Sequence, residues 1–168
     1  MIDNKIYEEA KMYAIRMHGL QDYDGFPYHK HLQDVESVLR KFGYIKLIVP
    51  GWLHDVLEDA PVSYNDIKKH FGIEVAEIVY CVTDELGRNR KERKVKTLPK
   101  IKSNPYAIII KLADRIANVE HSIKHNSRMF LMYEKEYNEF KKALQIEGHA
   151  DEMWMYLDKL FENKLKQL

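Results

Sequence analysis

Two stretches of this chain, Ile45 to Leu57 and Ala107 to Val119, are apolar nearly all round. Segments of that kind must be enclosed by other elements, so the remaining residues have to supply amphipathic partners. The longest strictly apolar runs, such as Ala107 to Ile110, are far too short to span a bilayer. The partners are visible as helical spacing. Ile6, Ala10, Tyr13, Ala14 and Met17 mark a first helix that stops near Gly19. Val35, Val38, Leu39 and Phe42 mark a second, with Gly43 as its natural stop. Ser63 followed by Asp66 reads as the cap of a short helix ending at Phe71-Gly72, and Ala76, Val79, Val82 and Thr83 mark the next. Two more run from Ser127 to about Gln145 and from Asp151 onward. Pro50 either starts the first buried helix or kinks it, and Pro105 stands just before the second. With only 7 Gly and 5 Pro in 168 residues, a turn-rich β-sandwich or barrel is disfavoured. The expected fold is all-α, a helical bundle forming one domain over 1–168, with a polar loop from Gln21 to Tyr28.

Charge narrows the partners. Lys+Arg 27 against Asp+Glu 26 gives +1, so no global field recruits nucleic acid or a membrane surface. The single cysteine, Cys81, excludes a disulfide framework and fits a reducing compartment. Met1-Ile2-Asp3-Asn4-Lys5 has no apolar signal-peptide core, so the expected location is cytoplasmic. Nothing in the sequence sets an oligomeric state.

Both buried segments carry polar residues that a plain core helix would not tolerate. In Trp52-Leu53-His54-Asp55-Val56-Leu57-Glu58-Asp59, helical spacing puts His54 and Glu58 on one face, with Asp55 beside them. Three carboxylates this close repel one another unless a cation sits among them. In the second segment Lys111, Asp114, Arg115 and Asn118 form a polar stripe, whose spacing argues for helix although Ile108-Ile109-Ile110 would suit a strand. The loop Pro27-Tyr28-His29-Lys30-His31 adds two imidazoles. Taken singly, each residue is more often a surface group, a satisfied core histidine or a salt bridge than a ligand. Jointly, His31, His54, Asp55 and Asp114 make a two-nitrogen, two-oxygen site suited to Mn²⁺, Fe²⁺ or Zn²⁺.

That pattern resembles the HD-domain metal-dependent phosphohydrolases. The order His18, Gly25-Phe26-Pro27-Tyr28, His31, Leu53-His54-Asp55-Val56-Leu57-Glu58-Asp59, Phe71-Gly72, Val82-Thr83-Asp84, Lys111-Leu112-Ala113-Asp114-Arg115 and Asn118 resembles the RelA/SpoT-type hydrolase domain over roughly residues 6–125. The resemblance implies an HD-domain fold and an Mn²⁺-dependent enzyme removing the 3′-pyrophosphate of guanosine tetra- or pentaphosphate (ppGpp, pppGpp). It implies metal ligation by His31, His54, Asp55 and Asp114, proton handling by Glu58 and Asp59, and a nucleoside pocket lined by Tyr28 and Asn118. The family loop before Gly25 usually carries Arg and Lys; here it reads Gln21-Asp22-Tyr23-Asp24, in which Tyr23 is free to stack on a base. The alternative substrate is another phosphorylated nucleotide, a nucleoside monophosphate or NADPH. A non-catalytic nucleotide sensor is the third reading.

The run Arg88-Asn89-Arg90-Lys91-Glu92-Arg93-Lys94-Val95-Lys96 is the strongest local charge asymmetry. Plainly read it is a solvated helix face. As function it is a phosphate funnel, with Arg90 and Lys94 one turn apart as its contacts and Lys111 adding charge. Met129, Met132, Tyr133, Tyr137, Met153 and Trp154 are expected to pack in the core.

Overall fold

A computed structural model of the chain describes residues 3–165. Residues 1–2 and 166–168, included in the expected domain over 1–168, lie outside the described residues. The fold is all-α apart from one two-stranded hairpin. Helix α1 (Asn4–His18) is capped by the Asp3 side chain on the Lys5 N–H and ends at Gly19. The expected polar loop holds strands β1 (Asp22–Tyr23) and β2 (Phe26–Pro27), paired antiparallel with Tyr23 opposite Phe26. Asp24 and Gly25 between them have φ of 52° and 85°. A tight hairpin needs φ > 0 at both central positions, so the Asp-Gly pair is the signal for this turn.

Helix α2 (His29–Lys41) follows, then a 3-10 turn over Ile45–Leu47, helix α3 (Ile48–Leu53) and the short α4 (Val56–Asp59). The expected single helix from Ile45 to Leu57 is therefore interrupted, and at His54-Asp55 rather than at Pro50. Pro50 sits in the first turn of α3, where its missing N–H removes no helix bond. The Gly51 carbonyl, which an unbroken helix would offer to the Asp55 N–H, accepts from His54 Nδ1 at 2.8 Å. His54 therefore closes α3, while Glu58 lies in α4.

Helix α5 (Tyr64–Phe71) has the reciprocal Ser63/Asp66 capping box, and α6 (Ile73–Val82) starts after Gly72. The basic run forms α7 (Arg90–Lys102), capped by Asn89. Helix α8 (Pro105–Lys124) is the long central element, with Pro105 as its first residue and Asn104 as its cap. Ile108 to Ile110 lie within it, so the strand alternative falls. Helices α9 (Met129–Leu144) and α10 (Asp151–Leu165) complete the bundle. Of the C-terminal apolar residues, Tyr133, Met153 and Trp154 are buried, Met132 and Tyr137 pack partly, and Met129 is exposed.

The core is arranged around α8 and α3. Helix α8 packs on α2, α6, α7, α9 and α10, and α3 packs on α1, α2 and α6. A Cβ at Gly51 would lie 2.7 Å from Leu39 Cδ1, so the bare glycine lets α3 approach α2 closely. Trp52 donates from Nε1 to Glu36 Oε2 at 2.6 Å, and the same carboxylate takes Tyr7 and Arg40. That buried junction joins α1, α2 and α3 and sets the bearing of α2, whose first turn carries His31. No described helix is long and apolar enough to cross a membrane.

Candidate metal centre and phosphate cavity

Three separated segments converge at the site: the first turn of α2, the break between α3 and α4, and the middle of α8. His31, His54 and Asp114 each bring one donor atom to within 4.8 Å of the others, and all three side chains are buried. His31 Nε2 lies 3.4 Å from Asp114 Oδ1 and 3.7 Å from Asp55 Oδ2. His54 Nε2 lies 2.9 Å from Asp55 Oδ2 and 3.9 Å from Asp114 Oδ1.

The His54 ring is oriented for a cation. Its Nδ1–H donates to the Gly51 carbonyl, which leaves Nε2 as the atom facing the carboxylates. That nitrogen is buried and makes no hydrogen bond, since Asp55 Oδ2, though close, is outside hydrogen-bonding geometry. Burial opposes charge on the ring, but Asp55 and then Asp114 outweigh it and push His54 up to about 9. The carboxylates behave reciprocally. Burial works against their ionisation, yet the neighbouring His54 holds Asp55 far below the usual range, and Lys111 does the same for Asp114. A pocket that draws a proton onto buried imidazole is one in which a divalent cation can replace that proton. Two imidazole nitrogens and the Asp114 carboxylate, with Asp55 beside them, fit a borderline divalent ion.

Neighbouring groups fix the carboxylates. The Tyr28 hydroxyl donates to Asp55 Oδ2 at 2.5 Å, and Lys111 Nζ lies 2.9 Å from Asp114 Oδ2. Asn118 donates to Asp114 Oδ1, and its own Oδ1 accepts from the Tyr23 hydroxyl at 2.7 Å. Tyr23 also stacks on the His31 ring, with centres 4.7 Å apart. Hairpin, α2 and α8 are thereby tied together at the cluster. Tyr23 is therefore not the free stacking surface that the sequence suggests, because the cluster engages both its ring and its hydroxyl.

Beside the ligand set lies a cavity of about 190 Å³, lined among others by Tyr28, Glu58, Asp59, Lys111 and Asn118. Glu58 Oε2 accepts the Asp84 N–H at 3.1 Å, and Arg93 lies 3.9 Å from Oε1. Burial and then the Asp84 carboxylate raise Glu58 above the ordinary carboxylate range. Asp59 Oδ2 accepts from Gln21 Nε2 at 3.1 Å.

The basic run divides. Arg88, just before α7, is exposed and pairs with Glu92 in the first turn of that helix, as a solvated surface group would. Arg90 and Lys94 line the cavity instead, and both meet Glu136 of α9. Glu136 is a lining residue that the sequence does not single out, and Arg115 one whose place in the cavity wall its stripe does not reveal. Three glutamates, at 134, 136 and 139, lie close together in α9; Glu136 and Glu139 both line the cavity, and Glu136 is the one that meets Arg90 and Lys94.

Comparison with known proteins agrees with this geometry. The sequence profile described as HD domain matches residues 10–136. Over 120 residues the chain is 33% identical to guanosine-3′,5′-bis(diphosphate) 3′-pyrophosphohydrolase MESH1 of Drosophila melanogaster, covering 67% of each protein. The Homo sapiens protein of the same name is 34% identical over 120 residues, 66% of each. The chain thus spans about two thirds of the length of these relatives. A guanosine-3′,5′-bis(diphosphate) 3′-pyrophosphohydrolase of Aquifex aeolicus is 33% identical over 120 residues, 67% of this chain and 17% of the relative. A solved structure described as a metazoan ortholog of SpoT that hydrolyses ppGpp superimposes with a TM-score of 0.79, covering 98% of both chains at 24% identity. That likeness is one of fold.

Proposed function

Because the chain belongs to the HD domain family, we propose that it is a metal-dependent phosphohydrolase removing the 3′-pyrophosphate of guanosine tetra- or pentaphosphate. The observation that carries the reading is the convergence of His31, His54 and Asp114, with His54 Nε2 buried, unpartnered and turned toward carboxylates. The names of the relatives supply the substrate class.

His31, His54, Asp55 and Asp114 would hold the divalent cation, Mn²⁺ in this proposal, whose chemistry there is Lewis-acid polarisation of a phosphoryl oxygen and acidification of water. Tyr28 and Lys111 keep Asp55 and Asp114 in place through their short contacts. Glu58, raised by burial, takes the proton of the attacking water on Oε1, the oxygen not engaged by the Asp84 N–H. Asp59, held by Gln21, lines the same cavity and orients the water. Arg90, Lys94 and Lys111 supply positive charge along the cavity wall, and Asn118 fixes the far edge. The whole of 1–168 acts as one domain in the cytoplasm on a small phosphorylated nucleotide.

A second reading, another phosphorylated nucleotide such as a nucleoside monophosphate or NADPH, is favoured by one observation. The hairpin beside the site carries Asp22 and Asp24 and no cation. Incubation with Mn²⁺ and ppGpp, followed by analysis of the released product, separates the two. Pyrophosphate supports the alarmone reading. Orthophosphate from a nucleoside monophosphate or NADPH, with ppGpp untouched, supports the second.

A further inference from the structure

Arg115 is a buried charge in the cavity wall. Its side chain is 6% exposed, and its guanidinium lies 4.7 Å from the ring centres of both Tyr133 and Phe140. Among the described residues its only side-chain hydrogen bonds are two long ones, 3.4 and 3.5 Å, both to Glu136 Oε2. The guanidinium thus has one acceptor, at the long end of hydrogen-bonding distance, and otherwise faces aromatic rings. The same carboxylate is already claimed by others. Arg90 grips it with a fork, Nε to Oε1 at 2.7 Å and Nη2 to Oε2 at 3.2 Å, and Lys94 Nζ pairs with Oε2. Three cations from α7 and α8 therefore converge on one monoanion, a local excess of positive charge within a cavity whose lining also carries Asp55, Glu58, Asp59, Asp84, Asp114 and Glu139.

Arg115 directly follows Asp114 on α8, and Lys111 lies one turn before it, so this cluster and the metal ligands share one cavity. We propose that Arg90, Lys94 and Arg115 form a second anion seat for a phosphate or diphosphate group of the substrate. Glu136 is its resident, displaceable occupant and sets the selectivity of the cavity by competing with that group. The inference rests on reading the cavity as a phosphorylated-nucleotide site. The ligand class follows from charge and geometry. Two planar guanidinium forks and an ammonium match the several oxygens and multiple charge of a phosphate better than the two oxygens of a carboxylate. A group with two or more negative charges displaces Glu136, whereas a neutral or singly charged group gains little by doing so.

The test uses sulfate, a dianionic tetrahedral oxyanion, as a probe on the intact metal-loaded chain, with chloride keeping ionic strength constant. In Glu136→Gln, sulfate should raise the thermal midpoint with a half-saturation about tenfold below that of the wild type. Adding Arg90→Ala and Lys94→Ala should cancel the gain. On ppGpp, Glu136→Gln should lower KM with kcat little changed. An equal or weaker sulfate response in Glu136→Gln overturns the proposal and makes Glu136 a structural clasp. Should that variant fail to fold, Glu136→Asp, which withdraws the carboxylate by one methylene, should show a smaller gain of the same sign; none overturns it. If the wild type hydrolyses no ppGpp while the sulfate gain persists, the substrate assignment fails and the seat stands. If it hydrolyses ppGpp and shows no sulfate gain, the seat fails and the substrate assignment stands.

Discussion

The two nitrogens of His54 have separate duties, one committed to the Gly51 carbonyl and the other turned toward carboxylates. Asp55 is the carboxylate nearest that second nitrogen and also lies 3.7 Å from His31 Nε2, beside the His31, His54 and Asp114 cluster. Asp55→Ala should lose both bound metal and hydrolysis; stoichiometric metal by elemental analysis in the purified variant would remove Asp55 from the set. Glu58 makes the contrasting case. Its carboxyl lines the cavity, and its partners are the Asp84 N–H and Arg93 rather than the imidazoles. Glu58→Gln should keep the metal and lower kcat by about 10²- to 10⁴-fold, the usual worth of a positioned base. An unchanged kcat would leave Glu58 a structural role only. These residues are legible in the sequence because charge inside an apolar helix is costly and demands a partner. Glu136 is not, since a glutamate on an amphipathic helix looks the same whether it faces water or three cations.

Among the elements, α3 shows what periodicity conceals. The apolar pattern runs from Ile45 to Leu57 with few polar interruptions, yet the helix breaks at His54-Asp55, where the His54 side chain bonds the Gly51 carbonyl. The hairpin is within reach of the sequence, since Asp24-Gly25 is the pair its turn demands, but strands of two residues show no alternation to read. Helix α2 owes its bearing to Glu36. Glu36→Ala would strand the Trp52 N–H, which is buried, and free Tyr7 and Arg40. The loss should be about 2–3 kcal/mol in denaturant unfolding, with metal content retained at full stoichiometry. A loss within experimental error would mean that water replaces the carboxylate. The clasp of α9 on α7 and α8 has a pH signature. Burial alone would raise Glu136, but Arg90 and Lys94 hold it down at about 2 against an ordinary 4.5. A depressed carboxylate stabilises the fold above its unfolded value and loses that contribution as pH falls through its folded one. Wild type should therefore exceed Glu136→Gln in stability by a constant margin above about pH 5. The margin should close toward pH 2, and one that stays flat over that range would show that Glu136 is not held by these charges.

At the scale of the whole molecule, the proposed metal ligands sit on parts of the chain that pack against one another but are far apart in sequence. His31 lies in the first turn of α2, His54 and Asp55 lie at the α3–α4 break, and Asp114 is midway along α8. The unfolded chain cannot gather them, so a cation that binds only the folded form adds its binding free energy to stability. At a hundredfold excess over Kd that is about 2.7 kcal/mol. For a chain of this length such a gain corresponds to a rise in Tm of roughly 5–10 °C. Mn²⁺ should produce the rise in wild type, and a chelator should reverse it. Repulsion between the ligands offers a second check. Removing the cation leaves Asp55 and Asp114 balanced only by Lys111 and the proton on His54, which its carboxylate neighbours push up to about 9, so the metal-free protein should lose more stability with rising pH than the loaded one. Asp55→Ala should abolish the Mn²⁺-dependent rise while Glu58→Gln keeps it whole. A rise that survives in Asp55→Ala would place the cation elsewhere in the molecule.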